Sequence, residues 1–370
     1  MSERPTLIHL VHSNKWGGVQ QYALDICRHF RQQDWEVAAM TRDARVIDDR
    51  FREHDIELFH GPLQGYFDPS SARILARRLK TAPRGRTVIH VHRYRDGLTA
   101  LIAALIARRP DVRIVSTRHT VRRGRTSRLF RRIYDRIDAH IFVSRTAFES
   151  FRRTWFGELP IKPGKVHILF NSINIEPLVR EPEPERGPVF ALYAGPVVKG
   201  KGIETIIDAM ALTKGLKLRL RIAGHGNPDY LDLLRRRAMA RNVMDLIDWN
   251  NGSEPTPELF AQSHFTVLPS VEREGFGLSN LRSMAAGRPQ ICTTSGAQNE
   301  YLEHGETAIF VPAADAQALA EAMKRLARDT ALRERMGKAA FRHFSESLSW
   351  EKFASELTEI YVGADSGAQF

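Results

Sequence analysis

HFTVLPSVEREGFGLSNLRSMAAGRPQICTT, residues 264–294, holds a complete structural unit. A β-rich run, HFTVLPS (264–270), leads into a loop with glycines at 275 and 277, then a helical pattern, then a second β-rich run, RPQICTT (288–294). Strand, helix and strand in that order form a crossover, which pairs the two strands in parallel. Glu274 stands at the entrance of the loop and Arg282 eight residues on, within the helix.

The same alternation extends in both directions. Strands are predicted at LIHLV (7–11), EVAAM (36–40), TVIHV (87–91), RIVST (113–117) and HIFVS (140–144), with helices starting near Val19, Pro69, Gly97, Ser127 and Thr146. Further strands follow at FALYA (190–194), LRLRIAG (218–224) and AIFVP (308–312), and residues 315–362 are nearly all helical in pattern. The alternation breaks at EPLVREPEPERGP (176–188), a proline-rich acidic stretch that reads as a linker. The fold class is therefore α/β, with two doubly wound, Rossmann-like parallel sheets. Residues 1–175 form an N-terminal domain and 189–345 a C-terminal one, and 346–370 form a C-terminal helix that packs back on the first. Ligands of open parallel sheets sit outside the carboxyl ends of the strands, so two such domains are expected to face each other across a cleft.

Composition narrows the class. The 370 residues are 42% hydrophobic and 26% charged, as in ordinary globular proteins. The N-terminal MSERPTLIHLVHS lacks the apolar segment of a signal peptide. The longest apolar run, LTALIAALIA (98–107), is too short to span a bilayer and reads as a core helix. Cys27 and Cys292 lie in apolar settings and read as buried thiols. The expected location is cytoplasmic.

The net charge of +12 is local: residues 70–165 hold 24 lysines and arginines against 6 acidic residues, so the remainder is net acidic. Such a block attracts an anionic membrane or a phosphorylated ligand, or it is a solvated arginine-rich face. A nucleic-acid partner is not expected, because stacking aromatics are sparse in the block.

The loops after the strands carry the candidate chemistry. Gly17 and Gly18 open a helix after the first strand, forming either an anion site or a tight turn. In LYAGPVVKGKGIETII, Gly195 ends a strand, and Lys199 and Lys201 precede a helix start suited to a phosphate. Gly224 and Gly226 flank His225 in a third turn. His90, His92 and His119 stand at strand ends; they are read as hydrogen-bonding or core histidines, since no cysteine or carboxylate joins them at zinc-ligand spacing. His119 is the preferred polarising group. No D-x-D occurs, so no metal site for a diphosphate is expected.

These pieces, in this order, resemble the retaining GT-B glycosyltransferases of family four (group 1). Gly17-Gly18, His119, VSRTAFESF, NSIN, AG…KG, AGHG, LPSVEREGFGL, MAAGRP and GAQNEYLEHGETAIFVPAAD carry the likeness, which is densest from Leu268 to Pro312. The resemblance implies a nucleotide-sugar donor bound mostly by the second domain and an acceptor bound by the first. It implies that Lys201 reaches the diphosphate and that Glu274 contacts the sugar. Phe276, Gly277 and Leu278 offer amides to the donor, Gly18 lies near the phosphates, and His119 lies at the reaction centre. It implies retention of anomeric configuration with no metal and no cofactor.

Three positions depart from the family pattern: Pro196 replaces an arginine after AG, Asn171-Ser172 replaces Asn-Gly, and Arg282 replaces a second glutamate. Guanidinium has donors only and cannot accept from ribose hydroxyls. Arg282 therefore contacts phosphate or base, turns away from the donor, or marks a site without catalysis. The expectation is an active transferase whose acceptor is a lipid-linked or lipopolysaccharide-type glycan. The protein would be peripheral at the inner face of the cytoplasmic membrane. The alternative is a GT-B-shaped binding protein.

Overall fold

The structure is a computed structural model. It describes residues 4–65, 68–154, 157–159, 161–175, 182, 187–251 and 254–363. The expected linker, 176–188, lies outside the described residues except at 182, 187 and 188. The chain divides into two compact units: Met1–Asn174 with Glu351–Phe370, and Ile175–Trp350.

The first unit is built on β1 (Thr6–Leu10), β2 (Glu36–Thr41), β3 (Glu57–His60), β4 (Thr87–Val91), β5 (Arg113–Arg118), β6 (Ala139–Phe142), a small hairpin of β7 (Arg153–Thr154) and β8 (Gly157–Glu158), and β9 (Val166–Ile168). The second has β10 (Val189–Ala194), β11 (Leu218–Gly224), β12 (Ile247–Asn251), β13 (Phe265–Leu268), β14 (Gln290–Thr293) and β15 (Ala308–Val311). The first sheet runs β3-β2-β1-β4-β5-β6-β9 and the second β12-β11-β10-β13-β14-β15. Every neighbouring pair in both is parallel. Each is a doubly wound, Rossmann-like sheet whose order reverses once, between β1 and β4 and between β10 and β13. At that reversal the two loops diverge and open a crevice.

Central strands such as β1 and β4 are buried at all five positions, as strands covered on both faces by helices must be. Three strands of the two parallel sheets were not legible in the sequence: β3, β9 and β12. All three are edges. The sides of β3 are exposed or half-buried, so it lacks the apolar run that marks an inner strand.

Helices stop and start where side chains allow. Asp315 and Asp329 cap the helices Ala316–Arg328 and Thr330–Ser347, accepting from Ala318 N at 2.9 Å and Leu332 N at 2.8 Å. The C-terminal helix begins at Trp350, whereas 346 and 347 still belong to the preceding helix. Its buried Phe353, Leu357, Ile360 and Tyr361 fall on one face by helical spacing. Within the first unit the Tyr361 hydroxyl lies 2.5 Å from His90 Nδ1, and Arg113 Nε donates to the Ile360 carbonyl at 2.9 Å.

The apolar run 98–107 lies in the helix Tyr94–Ala107, but it is not wholly core. Ala100, Ala103 and Ala107 are buried, whereas Leu105 is 67% and Ile106 43% exposed. Cys27 and Cys292 are buried and free, and burial raises both thiols.

Candidate active site

In the second unit, the loops leaving β10 and β13 lock together at the sheet's reversal. Gly200 accepts at its carbonyl from Val271 N (2.8 Å) and Glu272 N (3.0 Å). Gly202, at φ +74°, sits so close that a Cβ there would lie 2.1 Å from the Pro269 carbonyl oxygen. Only glycine fits that contact and that backbone. The locking brings Lys201 to Glu274: Nζ lies 2.5 Å from Oε1, and the side chains are 25% and 21% exposed. Ser270 Oγ donates to the same oxygen at 2.5 Å. Lys201 immediately precedes Gly202, the N-cap of the helix Ile203–Leu212, which makes no side-chain cap. Lys199 is exposed.

Gly277, at φ +100°, starts the helix Leu278–Ala285, again without a side-chain cap. The turn before it is braced. Phe276 is buried and stacks on Tyr301 with centroids 4.4 Å apart, Tyr301 donates to the Phe276 carbonyl, and Asn280 Nδ2 donates to the Tyr301 hydroxyl at 2.7 Å. Ser279 Oγ donates to the Ala194 carbonyl at 2.6 Å, tying this helix start to the end of β10 beside Gly195. Gly224 ends β11, and His225 is exposed. The structure therefore gathers Lys201, Glu274 and Ser270 in direct contact, with the Phe276–Leu278 turn following Glu274 in the same loop. Capping aspartates and asparagines elsewhere occupy their helix starts; at Gly202 and Gly277 the first-turn amides face no such side chain, which suits a diphosphate.

Arg282 is half-buried on this helix, and its Nη1 donates to the Pro255 carbonyl at 3.2 Å. A carboxylate there could not make that bond, so the substitution changes the neighbouring backbone contact as well as the charge.

In the first unit, Gly17 caps the helix Gly18–Gln32 without a side-chain bond. The histidines form a chain. His9 Nδ1 lies 3.0 Å from His92 Nε2, and His92 Nδ1 lies 3.2 Å from His119 Nε2. Burial lowers all three: His9 and His119 each to about 3, His92 well below its ordinary 6.5. Tyr22 packs edge-on to His119 at 4.8 Å. His9, His90 and His92 lie within metal-ligand reach of one another. Both His90 nitrogens are already engaged, however, by Tyr361 and by Thr117 Oγ1 at 2.7 Å. A second group, Asp43, Asp48 and His60, is tied internally, since Thr41 Oγ1 bonds both Asp48 Oδ1 (2.7 Å) and His60 Nδ1 (3.0 Å).

Sequence reasoning did not find His9, Ser270 or Tyr301. Only His9 carried a signal, a lone imidazole inside an apolar strand.

The basic block is mixed. Arg78 pairs with Glu36 and Glu57, Arg93 with Asp96, and Arg109 is buried on carbonyls and Asp111. On the helix Arg128–Arg136, by contrast, Arg128, Arg131, Arg132 and Arg136 are all exposed, while Phe130, Ile133 and Tyr134 are buried and Leu129 is 54% exposed.

Residues 16–177 match the family described as Glycosyltransferase Family 4, and residues 175–343 match that described as Glycosyl transferases group 1. The chain belongs to the group 1 glycosyltransferases. This glycosyltransferase is 30% identical over 172 residues to an uncharacterized glycosyltransferase of Methanocaldococcus jannaschii, a match covering 46% of the chain and 44% of that relative. It is 26% identical over 295 residues to the phosphatidyl-myo-inositol mannosyltransferase of Mycobacterium leprae, covering 76% and 75%. In fold it is similar to Anabaena HepE, solved in complex with UDP, at TM-score 0.82 and 17% identity over 97% of this chain and 100% of that one. The two Rossmann-like domains are those of the GT-B architecture.

Proposed function

We propose that this glycosyltransferase moves a sugar from a nucleotide-sugar donor to a lipid-linked or lipopolysaccharide-type glycan, retaining anomeric configuration and using no metal or cofactor. The observation that carries the reading is the contact of Lys201, Glu274 and Ser270 beside helix starts capped by glycine. Lys201 and the first-turn amides neutralise the diphosphate, taking the part a divalent cation plays elsewhere. Glu274 accepts from sugar hydroxyls. The acceptor hydroxyl attacks the anomeric carbon on the face the diphosphate leaves; the carbon–oxygen bond to phosphate breaks, and the hydroxyl proton passes to the departing phosphate oxygen. The family resemblance assigns His119 a place at the reaction centre.

The exposed arginines of 128–136 hold the enzyme against anionic lipid at the inner face of the cytoplasmic membrane. Among the described residues, no helix is long and apolar enough to cross a membrane. The phosphatidyl-myo-inositol named for the Mycobacterium leprae relative supports an anionic lipid-linked acceptor, and the UDP named for HepE puts uridine donors first in a screen.

A second reading, a GT-B-shaped binding protein without catalysis, is favoured by Arg282 alone. Thermal unfolding with a panel of nucleotides and nucleotide sugars, followed by donor turnover, separates the two. A donor that raises the midpoint and is consumed supports transfer. A donor that binds without turnover on any glycan acceptor supports the second reading.

A further inference from the structure

We infer that His92 and His9 are positioning residues that fix the ring tautomer of His119, leaving it with an Nδ1–H donor for an oxygen of the bound sugar or phosphate. The inference rests on the reading of His119 as a group at the reaction centre, but the wiring itself can be read without any substrate.

His9 Nε2 is buried and has no hydrogen-bond partner among the described residues, and His9 is wholly inaccessible. A neutral imidazole carries one N–H and one lone pair. If the Nε2 of His9 held the proton, a buried N–H would be orphaned, which folded proteins rarely tolerate; an unshared lone pair there costs less. The proton of His9 therefore sits on Nδ1 and is donated to His92 Nε2, 3.0 Å away. His92 Nε2 is then an acceptor, so its proton is on Nδ1, which donates to His119 Nε2 at 3.2 Å. His119 Nε2 is in turn an acceptor, and its proton is on Nδ1.

A charged ring would give the chain other solutions. Burial disfavours charge at all three positions, and Arg118 adds repulsion at His119. His90 does not enter the chain, because Tyr361 and Thr117 hold both its nitrogens. His119 is the half-buried end, and its Nδ1 has no protein partner among the described residues. A free imidazole in water prefers the opposite, Nε2–H tautomer. The chain thus holds the catalytic histidine in the form it would otherwise leave, so that an acceptor oxygen meets a donor without reorganisation.

The test is nitrogen-15 NMR of the full chain labelled in histidine, reading long-range ring couplings at neutral pH. Nδ1–H is expected at His9, His92 and His119. His92→Asn, whose amide N–H replaces the lost donor, should keep His119 as Nδ1–H; His92→Phe, which removes it, should release His119 to Nε2–H and lose donor turnover. An Nε2–H tautomer at His119 in the wild type, or Nδ1–H persisting in His92→Phe, overturns the inference. If His92→Phe does not fold, the wild-type tautomers decide alone. Correct tautomers with no donor consumed count against the proposed function and leave the wiring standing.

Discussion

Lys201 Nζ and Glu274 Oε1 lie 2.5 Å apart across 73 positions of sequence, and Ser270 Oγ reaches the same carboxylate oxygen. The cation expected at a diphosphate is held by the acid expected at a sugar. The pair fixes both side chains where the loops after β10 and β13 meet.

Removing that cation should cost donor binding. Lys201→Ala is expected to weaken nucleoside-diphosphate binding by about 1.5–3 kcal/mol, the range for a charged hydrogen bond. Lys199→Ala, at an exposed side chain, should cost far less. Isothermal titration of both variants checks the ordering, and equal small losses would remove Lys201 from the donor site.

Arg282 can be tested by charge. Wild type is expected to bind at least one nucleotide sugar, and Arg282→Ala to weaken it, because the arginine also braces the Pro255 carbonyl. Should wild type bind none while Arg282→Glu gains binding, the natural site is inactive.

Chelation should leave activity in place. Turnover in EDTA is expected to match that in added Mg²⁺ or Mn²⁺, since in the proposed function Lys201 and the helix starts supply the positive charge. Full loss that either ion restores would contradict that scheme.

Exposed arginines should make membrane binding salt-sensitive. Reversing Arg131 and Arg132 to glutamate is expected to remove about 1 kcal/mol of vesicle affinity per arginine lost, on anionic lipid at low salt. Sedimentation with neutral and anionic vesicles reads this, and binding indifferent to lipid charge and salt would return the block to a solvated face.

The neutral histidines link stability to pH. His9 and His119 fall to about 3 in the fold, against an ordinary 6.5, because burial penalises their charge. Above 6.5 both states are neutral and the stabilisation is complete. Below it the unfolded chain takes up protons that the folded chain refuses, so stability falls as pH drops from 6.5 toward 3. The loss is about 1.4 kcal/mol per pH unit for each fully shifted histidine. Denaturant midpoints measured at steps from about pH 7.5 to 5 should decline from near 6.5, and a flat profile would argue against buried neutral rings.

Most of the architecture was legible in the sequence because it depends on local pattern. Inner strands such as LIHLV and TVIHV are buried on both faces, so burial writes itself as an unbroken apolar run. Glycine before a helix marks a start that no side chain caps, and this placed the loops at 17, 202 and 277. Three edge strands, β3, β9 and β12, were not legible; β3 has only exposed or half-buried sides, whereas β15, an edge as well, is mostly buried and kept its apolar run.

The sequence by itself determined two parallel-sheet domains, their glycine-capped loops and the residue types in them. Only the tertiary structure decided which residues meet. His9 joins His92 because β1 and β4 pair in register, placing His9 opposite His90. Tyr361 reaches His90 from 271 residues away, and Arg282 turns to Pro255. Burial periodicity is a property of one element and its two faces, whereas a hydrogen bond between distant residues depends on strand register and loop closure, which no local pattern encodes.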